Sequence, residues 1–98
     1  MIEDSLDFQG FQWDAGNSCK NLLKHDVMDG ECEEVFFNAP IMLFADPKHS
    51  EVEVRVTALG ATNSGRKLTV IFTRRQRLIR IISARDMNRK EREFYKTL

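Results

Sequence analysis

The hydrophobic period of this chain changes once, and that change limits the possible folds more than any other feature. Between Ala15 and Pro40 the apolar residues recur at helical spacing, whereas from Ile41 onward they recur at every second position. Helices and strands are therefore segregated along the chain, as in α+β domains, and do not alternate as in parallel α/β sheets. We predict an α+β fold in which an antiparallel β-sheet packs with N-terminal helices and a C-terminal helix.

The N-terminal part predicts one short strand and two helices. Residues 11–13 alternate apolar and polar side chains, which indicates a short strand. Residues 15–24 form the first predicted helix, because Cys19, Leu22 and Leu23 recur at helical spacing. Residues 29–36 form the second, since acidic side chains in the first turn complement the positive end of a helix.

The part of the chain after Pro40 predicts a meandering sheet. Its strands cover residues 41–44, 52–58, 68–72 and 78–83, with a turn at 46–48 and a loop containing Gly60 and residues 63–65. A two-residue hairpin loop at Arg75 and Gln76 joins the last two strands. With that loop, one face carries the apolar residues Leu68, Val70, Phe72, Ile79 and Ile81 together with Ser83. Arg80 then points to the opposite face.

A closing helix is predicted from Asn88, because Asn88 and Glu91 have the spacing of a capping box. Phe94 and Tyr95 lie with Leu98 on one stripe of this helix, a pattern more typical of a core than of a stacking surface. The chain of 98 residues is long enough for one core, so we predict a single domain over residues 1–98 with a flexible lead-in at 1–7.

Positive charge is concentrated in the last third of the chain. From Arg66 onward there are eleven Lys and Arg residues against three acids, whereas residues 1–50 hold ten acids against three lysines. The formal net charge of zero therefore conceals a strong asymmetry. Because a phosphate-binding surface needs local positive potential and not overall positive charge, we expect a polyanionic ligand to bind the segment 66–96.

Several classes of function lack their usual signals. There is no Gly-rich phosphate loop, no H-E-x-x-H motif and no acidic metal cluster, and Cys19 and Cys32 are thirteen residues apart without a C-x-x-C spacing. We therefore expect no metal and no cofactor. The absence of an eighteen-residue apolar run or a secretory signal leads us to expect a cytoplasmic protein without membrane contact.

The residues that could cleave RNA without a metal are a base, an acid and cations that stabilise the phosphorane. His25 and Lys24 end the first helix, where cations also stabilise a helix with no substrate present; His49 lies in a turn. Arg80 interrupts an apolar strand, so it needs an acidic partner or an open cleft. Arg85 ends that strand and could hold a phosphate with two hydrogen bonds. For both arginines the alternative is an ion pair with Glu53, Glu91 or Glu93.

The order and spacing of many residues resemble a known family. The similar positions are Trp13-Asp14, Lys20-Asn21, Lys24-His25, Val27, 33–36, Asp46, His49-Ser50, Arg55, Gly60, Gly65-Arg66, 72–74, 79–85, Glu91-Arg92 and Tyr95. Together they resemble the BrnT-type toxins of bacterial type II toxin-antitoxin systems. The resemblance implies a RelE-like ribonuclease, blocked by a BrnA-type antitoxin that also represses the shared operon.

This resemblance has two departures. The family often has a basic residue where this chain has Asn17, which puts a possible phosphate contact in doubt. Asp26 replaces a glycine after the Lys-His pair, and aspartate can adopt the left-handed conformation that a helix end needs.

The resulting hypothesis is a toxin that acts as a metal-independent endoribonuclease and inhibits translation. Its predicted catalytic residues are His25, Arg80, Arg85 and Glu91, and its predicted RNA-binding residues are Lys24, Arg66, Arg74 and Tyr95. The predicted partners are an RNA substrate and a BrnA-type antitoxin, with DNA contacted only through the antitoxin. The alternative is a non-catalytic interaction module whose basic face binds an acidic protein segment.

Overall fold

A computed structural model describes residues 7–46 and 53–98 as a mixed sheet with three helices. The elements are β1 (Gly10–Phe11), α1 (Lys20–His25), α2 (Asp29–Val35), β2 (Met42–Asp46), β3 (Arg55–Ala61), β4 (Lys67–Arg75), β5 (Leu78–Asp86) and α3 (Arg89–Tyr95). The strand order is β1-β5-β4-β3-β2. The predicted α+β class is confirmed. Strands β2 to β5 are antiparallel, while β1 adds a parallel strand beside β5.

Several predictions involve residues that the structure does not describe, among them positions 47 and 48 of the predicted turn and position 52 of the predicted strand. His49 lies outside the described residues, as does the lead-in except for Asp7. None of the helices within the described ranges is long and apolar enough to cross a membrane.

One face of the sheet, which we call the covered face, packs against α1 and α2 and holds the main core. Its buried side chains are Val27, Cys32, Val35, Phe36, Leu43, Ala58, Leu68, Val70, Phe72, Ile79, Ile81 and Ala84. Phe72 is fully buried, and its ring meets Phe36 edge-on with 5.0 Å between centroids. The predicted shared face of Leu68, Val70, Phe72, Ile79 and Ile81 is therefore confirmed.

Gly60 lies within β3 and not in the loop predicted for it. A Cβ atom at this position would come within 2.6 Å of Cγ1 of Val35 in α2. The strand therefore continues through Gly60, because the missing side chain allows the helix to contact the sheet backbone directly.

The buried side of α1 is polar. Leu23 is 88% exposed, whereas Asn21 is buried and its Oδ1 accepts a hydrogen bond from the backbone N–H of Ala84 at 2.9 Å. Just before the helix, Nδ2 of Asn17 donates to the carbonyl of Ile81 at 3.0 Å. None of the described strands pairs with this part of the outer edge of β5, so the asparagine side chains satisfy its backbone groups.

The β4–β5 hairpin differs from its predicted register. Its loop is formed by residues 76–77, because Arg75 pairs with Leu78. Farther along, Ile71 pairs with Ser83 although Phe72 pairs with Ile81, so β5 contains one extra residue. This β-bulge reverses the alternation of the strand. Ser83, predicted on the apolar face, therefore lies on the opposite one, and Ala84 takes its place in the core.

The other face of the sheet, which we call the open face, is covered by α3 at only one end. Met42, Leu59, Met87 and Tyr95 form a small buried cluster there, with Phe44 packed against it. The predicted capping box is confirmed, since Glu91 N–H donates to Oδ1 of Asn88 and Asn88 N–H donates to Oε1 of Glu91, each at 2.9 Å. This box fixes where α3 begins and holds Glu91 over the sheet.

Candidate functional site

The predicted site residues occupy four places in the structure. Arg80, Arg85 and Glu91 lie on the open face, and Lys24, His25 and Arg66 lie around the C-terminal end of α1. Arg74 lies near the hairpin, and Tyr95 is the buried last residue of α3. Tyr95 is only 8% exposed and its hydroxyl donates to the carbonyl of Pro40 at 2.6 Å. The open face thus carries three of the four residues predicted to be catalytic, and the end of α1 carries the fourth, His25.

Arg80 and Arg85 share the open face because of the β-bulge. In a regular strand two residues five positions apart point to opposite faces. The extra residue restores a common side, so that Arg80 lies opposite Thr73 and Arg85 opposite Thr69 on β4. One inserted residue therefore brings two distant guanidinium groups to the same surface.

Arg80 forms a two-pronged ion pair with Asp14. Its Nη1 and Nη2 donate to the two carboxylate oxygens at 2.8 and 3.0 Å, and the Arg80 side chain is only 14% exposed. The hydrogen bond from Arg80 lowers the pKa of Asp14, and one from the backbone N–H of Gly16 lowers it further. Sequence reasoning predicted that Arg80 needs an acid or a cleft, but it did not identify Asp14. The signal was present, since Asp14 belongs to the Trp-Asp motif.

Arg85 forms a similar pair with Glu91. The two hydrogen bonds are 2.7 and 3.0 Å long, and Oε1 of Glu91 also accepts from the Thr69 hydroxyl at 2.9 Å. Burial raises the pKa of Glu91, but the hydrogen bonds from Arg85, Asn88 and Thr69 outweigh it, so the pKa lies below its ordinary value. Glu91 is therefore an ionised carboxylate held beside an arginine, one of the partners predicted for Arg85.

The arginines near the hairpin are paired as well. Arg75 binds Glu53 with two hydrogen bonds of 2.8 Å, and Nη2 of Arg77 contacts both oxygens of Asp7 at 2.7 and 2.8 Å. Arg74 donates to the backbone carbonyl of Asp7 at 2.6 Å. The charge asymmetry of the sequence is thus largely cancelled in space, because acids from outside the basic third contact many of its arginines.

Arg66 joins the end of α1 to the end of β5. It binds Asp86 through Nε at 2.7 Å and Nη2 at 3.1 Å, and its Nη1 contacts Glu31 at 3.2 Å. The same guanidinium donates to the last carbonyls of α1, those of Asp26 at 2.7 Å and His25 at 3.3 Å. The hydrogen bond that Arg66 donates to Asp86 is the main reason that the pKa of Arg66 is raised. Arg66 therefore caps the C-terminus of α1, because it donates to carbonyl groups at the helix end.

Asp26 adopts the left-handed conformation at this helix end, with φ of 56°, as the sequence predicted. His25 and Lys24 are exposed in the last turn. Arg66 is the main cause of the lowered pKa of Asp86, and the charge of His25 adds to it, so His25 belongs to the Arg66 cluster. Because Asp86 follows Arg85 in β5, its side chain points to the covered side. The structure thus separates His25 from Arg85.

The residues needed for a metal site are not brought together in the described parts of the chain. No group of three or more His, Cys, Asp or Glu side chains within residues 7–46 and 53–98 could hold a metal ion. Cys19 is exposed, while burial raises the pKa of the Cys32 thiol to about 12. The two cysteines therefore have different surroundings.

The structure agrees with the sequence at Asn17 and differs from it at Phe94. Asn17 is buried and bonded to backbone groups, its Nδ2 donating to the carbonyls of Gln12 and Ile81 at 3.0 Å each. This chain therefore uses the position for backbone contacts. Phe94, expected in the core, is 44% exposed and lies beside Glu91. The helical spacing in the sequence did not indicate this exposure.

Comparison with known proteins agrees with the resemblance. The model of the family described as "Ribonuclease toxin, BrnT, of type II toxin-antitoxin system" matches residues 13–91, about four fifths of the chain. This range contains both members of the Asp14–Arg80 and Arg85–Glu91 pairs. The comparison with curated proteins gives no match. On the strength of the family match, the chain belongs to the BrnT family of ribonuclease toxins of type II toxin-antitoxin systems.

Proposed function

We propose that this toxin is a cytoplasmic endoribonuclease that binds RNA on the open face and cleaves it without a metal ion, thereby inhibiting translation. In this reaction the ribose 2′-hydroxyl attacks the adjacent phosphate and the 5′-oxygen leaves. The observation that carries the proposal is that Arg80 and Arg85 each hold a carboxylate with two parallel hydrogen bonds on one face of β5. Phosphate oxygens suit the same planar fork of donors.

The two arginines differ in how readily they could change partner. The Arg85 side chain is 39% exposed, and an ion pair at such a site contributes only about 0–1 kcal/mol. A phosphate can therefore replace Glu91 on Arg85 at little cost. Arg80 is 14% exposed and held by Asp14 with two hydrogen bonds, so we assign it the role of a fixed donor that contacts the scissile phosphate through its remaining N–H groups.

Glu91 is the better placed of the two proposed proton carriers. Its carboxylate oxygens lie 2.7 and 3.0 Å from the Arg85 guanidinium, so a phosphate bound there would lie next to a base. When Arg85 turns to the phosphate, the bond that lowers the pKa of Glu91 is lost and the carboxylate becomes a stronger base. His25 would serve as the second carrier only for RNA that passes around the end of β5.

The residues predicted to bind RNA have different surroundings, and we propose a different role for each accordingly. Lys24 is exposed and suits a contact with the RNA backbone beyond the cleavage point. Arg66 and Arg74 already donate to backbone carbonyls, so we propose that they stabilise the fold next to the RNA-binding surface. Tyr95 is buried, which favours a packing role at the end of α3.

Membership of a type II toxin-antitoxin family implies a protein antitoxin and an RNA target. We further propose that the antitoxin is of the BrnA type and covers the open face. Acidic side chains of such a partner can replace Glu91 on Arg85, because this exposed arginine already donates to a carboxylate in the isolated chain. DNA is then contacted only through the antitoxin.

The test is incubation of the purified protein with RNA in excess EDTA. Wild type and Arg77→Ala should cleave, since Arg77 also holds a carboxylate but lies at the hairpin. Arg80→Ala/Arg85→Ala should lose at least about 100-fold in rate while melting as a folded protein. A deoxyribose at the cleavage position should block the reaction, because the nucleophile is absent.

Two results would contradict the proposal. A folded double variant that cleaves at the wild-type rate would remove Arg80 and Arg85 from the mechanism. RNA left intact by wild type at high protein concentration would instead favour the non-catalytic interaction module, for which the carboxylate-binding arginines supply the acidic-partner site.

A further inference from the structure

A groove lies between α3 and the end of the sheet, beside the Arg85–Glu91 pair. Its volume is about 320 Å³, and its lining residues are Phe44, Thr57, Leu59, Lys90, Glu91 and Phe94. Phe94 contacts Phe44 with 5.6 Å between ring centroids but remains 44% exposed. An aromatic surface is therefore accessible next to the proposed phosphate site.

We propose that this groove binds one unpaired nucleobase of the RNA, next to the phosphate held by Arg85. The inference rests on the proposed ribonuclease function and adds a site for the base to it. Glu91 connects the two sites, because it lines the groove and is also hydrogen-bonded to Arg85. A nucleotide whose phosphate contacts Arg85 can thus place its base, or that of its neighbour, over Phe94.

The chemistry of the lining fits a base. Groove volume lies at the lower end of the range for small-ligand sites, roughly 300–1,000 Å³. An exposed ring offers a stacking surface that every base can use. The Thr57 hydroxyl and Glu91 carboxylate supply hydrogen-bonding groups for a base edge, while the exposed Lys90 is a cation for a flanking phosphate.

The competing occupant is an apolar segment of a protein partner. Ionic groups on the lining argue against it, since Lys90 and Glu91 would have to lose part of their hydration against an apolar chain. A planar base with a polar edge avoids this penalty. The two occupants also differ in how they use Phe94, because only the base requires an aromatic ring and not merely an apolar side chain.

The test uses a single-stranded 2′-O-methyl oligonucleotide carrying 2-aminopurine, which the enzyme cannot cleave and whose fluorescence falls on stacking. Wild type should bind it and quench the fluorescence. Both Phe94→Ala and Phe94→Leu should weaken binding about tenfold and lose the quenching. Phe37→Ala is the matched control, because Phe37 is 69% exposed but packs against Phe8 and Phe11 instead.

A second variant reaches the groove without changing Phe94. Thr57→Phe fills the groove from β3 with a residue that suits a strand, so it should also weaken binding while the melting temperature stays near that of wild type. If Phe94→Leu binds the oligonucleotide as tightly as wild type, the groove does not hold a stacked base. Binding of an apolar peptide to the wild-type groove would then show that a protein segment is the occupant.

Cleavage of unmodified RNA in EDTA separates this inference from the function on which it rests. Quenching without any cleavage would overturn the ribonuclease proposal and leave the base site standing. Cleavage with the same rate and the same preferred bases in wild type and Phe94→Leu would overturn the base site and leave the ribonuclease standing.

Discussion

The two faces of the sheet are ordered by different forces. On the covered face, apolar side chains such as Phe72 and Ile81 are fully buried against two helices, and their positions follow from close packing. On the open face, Arg80 and Arg85 are positioned by carboxylates in ion pairs that remain partly exposed to water. The first arrangement tolerates little change. In the second, a phosphate can replace Glu91 on Arg85, and we propose that RNA binds there.

The difference is most direct within β5, which contributes to both faces. Ile79, Ile81 and Ala84 are buried in the core, while Arg80 and Arg85 point to the other side. Stability and activity should therefore separate along a single strand. The following predictions test that separation, beginning with the largest expected effect.

Phe72→Ala should destabilise the protein by about 3–5 kcal/mol, because it leaves a cavity beside Phe36 at the centre of the covered face. For a domain of this size such a loss is a large part of the total stability. Urea denaturation followed by circular dichroism measures it. A loss below about 1 kcal/mol would mean that the covered face does not hold the dominant core.

Arg85→Ala should reduce the cleavage rate about 100-fold, equivalent to about 2.7 kcal/mol, yet change the free energy of unfolding by less than about 1 kcal/mol. Arg85→Lys should not restore activity, since an ammonium group lacks the planar fork. Cleavage kinetics and urea denaturation on the same samples check both statements. A variant destabilised as strongly as Phe72→Ala would remove the contrast between the faces.

Asn17→Ala should cost about 1–3 kcal/mol of stability, because it leaves the carbonyls of Gln12 and Ile81 without this donor. Leu23→Ala is the control, as Leu23 is 88% exposed and should change stability by less than about 0.5 kcal/mol. Thermal melting of the two variants gives the comparison. Equal stabilities would show that the asparagine bonds contribute nothing at the edge of β5.

Acid should lower the stability of the protein, because it protonates Glu91 on the open face. Because the pKa of Glu91 in the folded protein lies below its ordinary value of 4.5, the unfolded chain is protonated first as the pH falls. The stabilisation that ionised Glu91 contributes is fully present above pH 4.5. It is lost as the pH falls through the lower pKa that Glu91 has in the folded protein. Urea denaturation in acid should therefore show a shallower loss of stability in Glu91→Gln than in wild type. Parallel curves for the two proteins would contradict the pairing with Arg85.

Local patterns in the sequence predicted the parts of the fold that local forces determine. The change of hydrophobic period predicted the α+β class, the alternation around Arg80 predicted its face, and the spacing of Asn88 and Glu91 predicted the cap of α3. Each depends on residues only a few positions apart. The hairpin loop shifted by one residue because several positions between the two strands satisfy the same alternation.

The remaining features depend on contacts between distant residues. Asp14 and Arg80 are 66 positions apart, so their pairing has no local pattern. The extra residue in β5 also has no sequence mark, although it decides which face carries Arg85. The polar side of α1 was hidden for the same reason, because Asn21 is buried only where β5 presents an unpaired backbone group. The site is thus harder to predict than the fold.

The asparagines beside β5 have a consequence for the behaviour of the protein at high concentration. A strand with unpaired backbone groups is a template for another chain, and neighbouring molecules can add to it and aggregate. Asn17 and Asn21 occupy the hydrogen-bonding groups of Ile81 and Ala84, where an incoming strand would need to bind. Addition of another chain along this side of the sheet is thereby disfavoured.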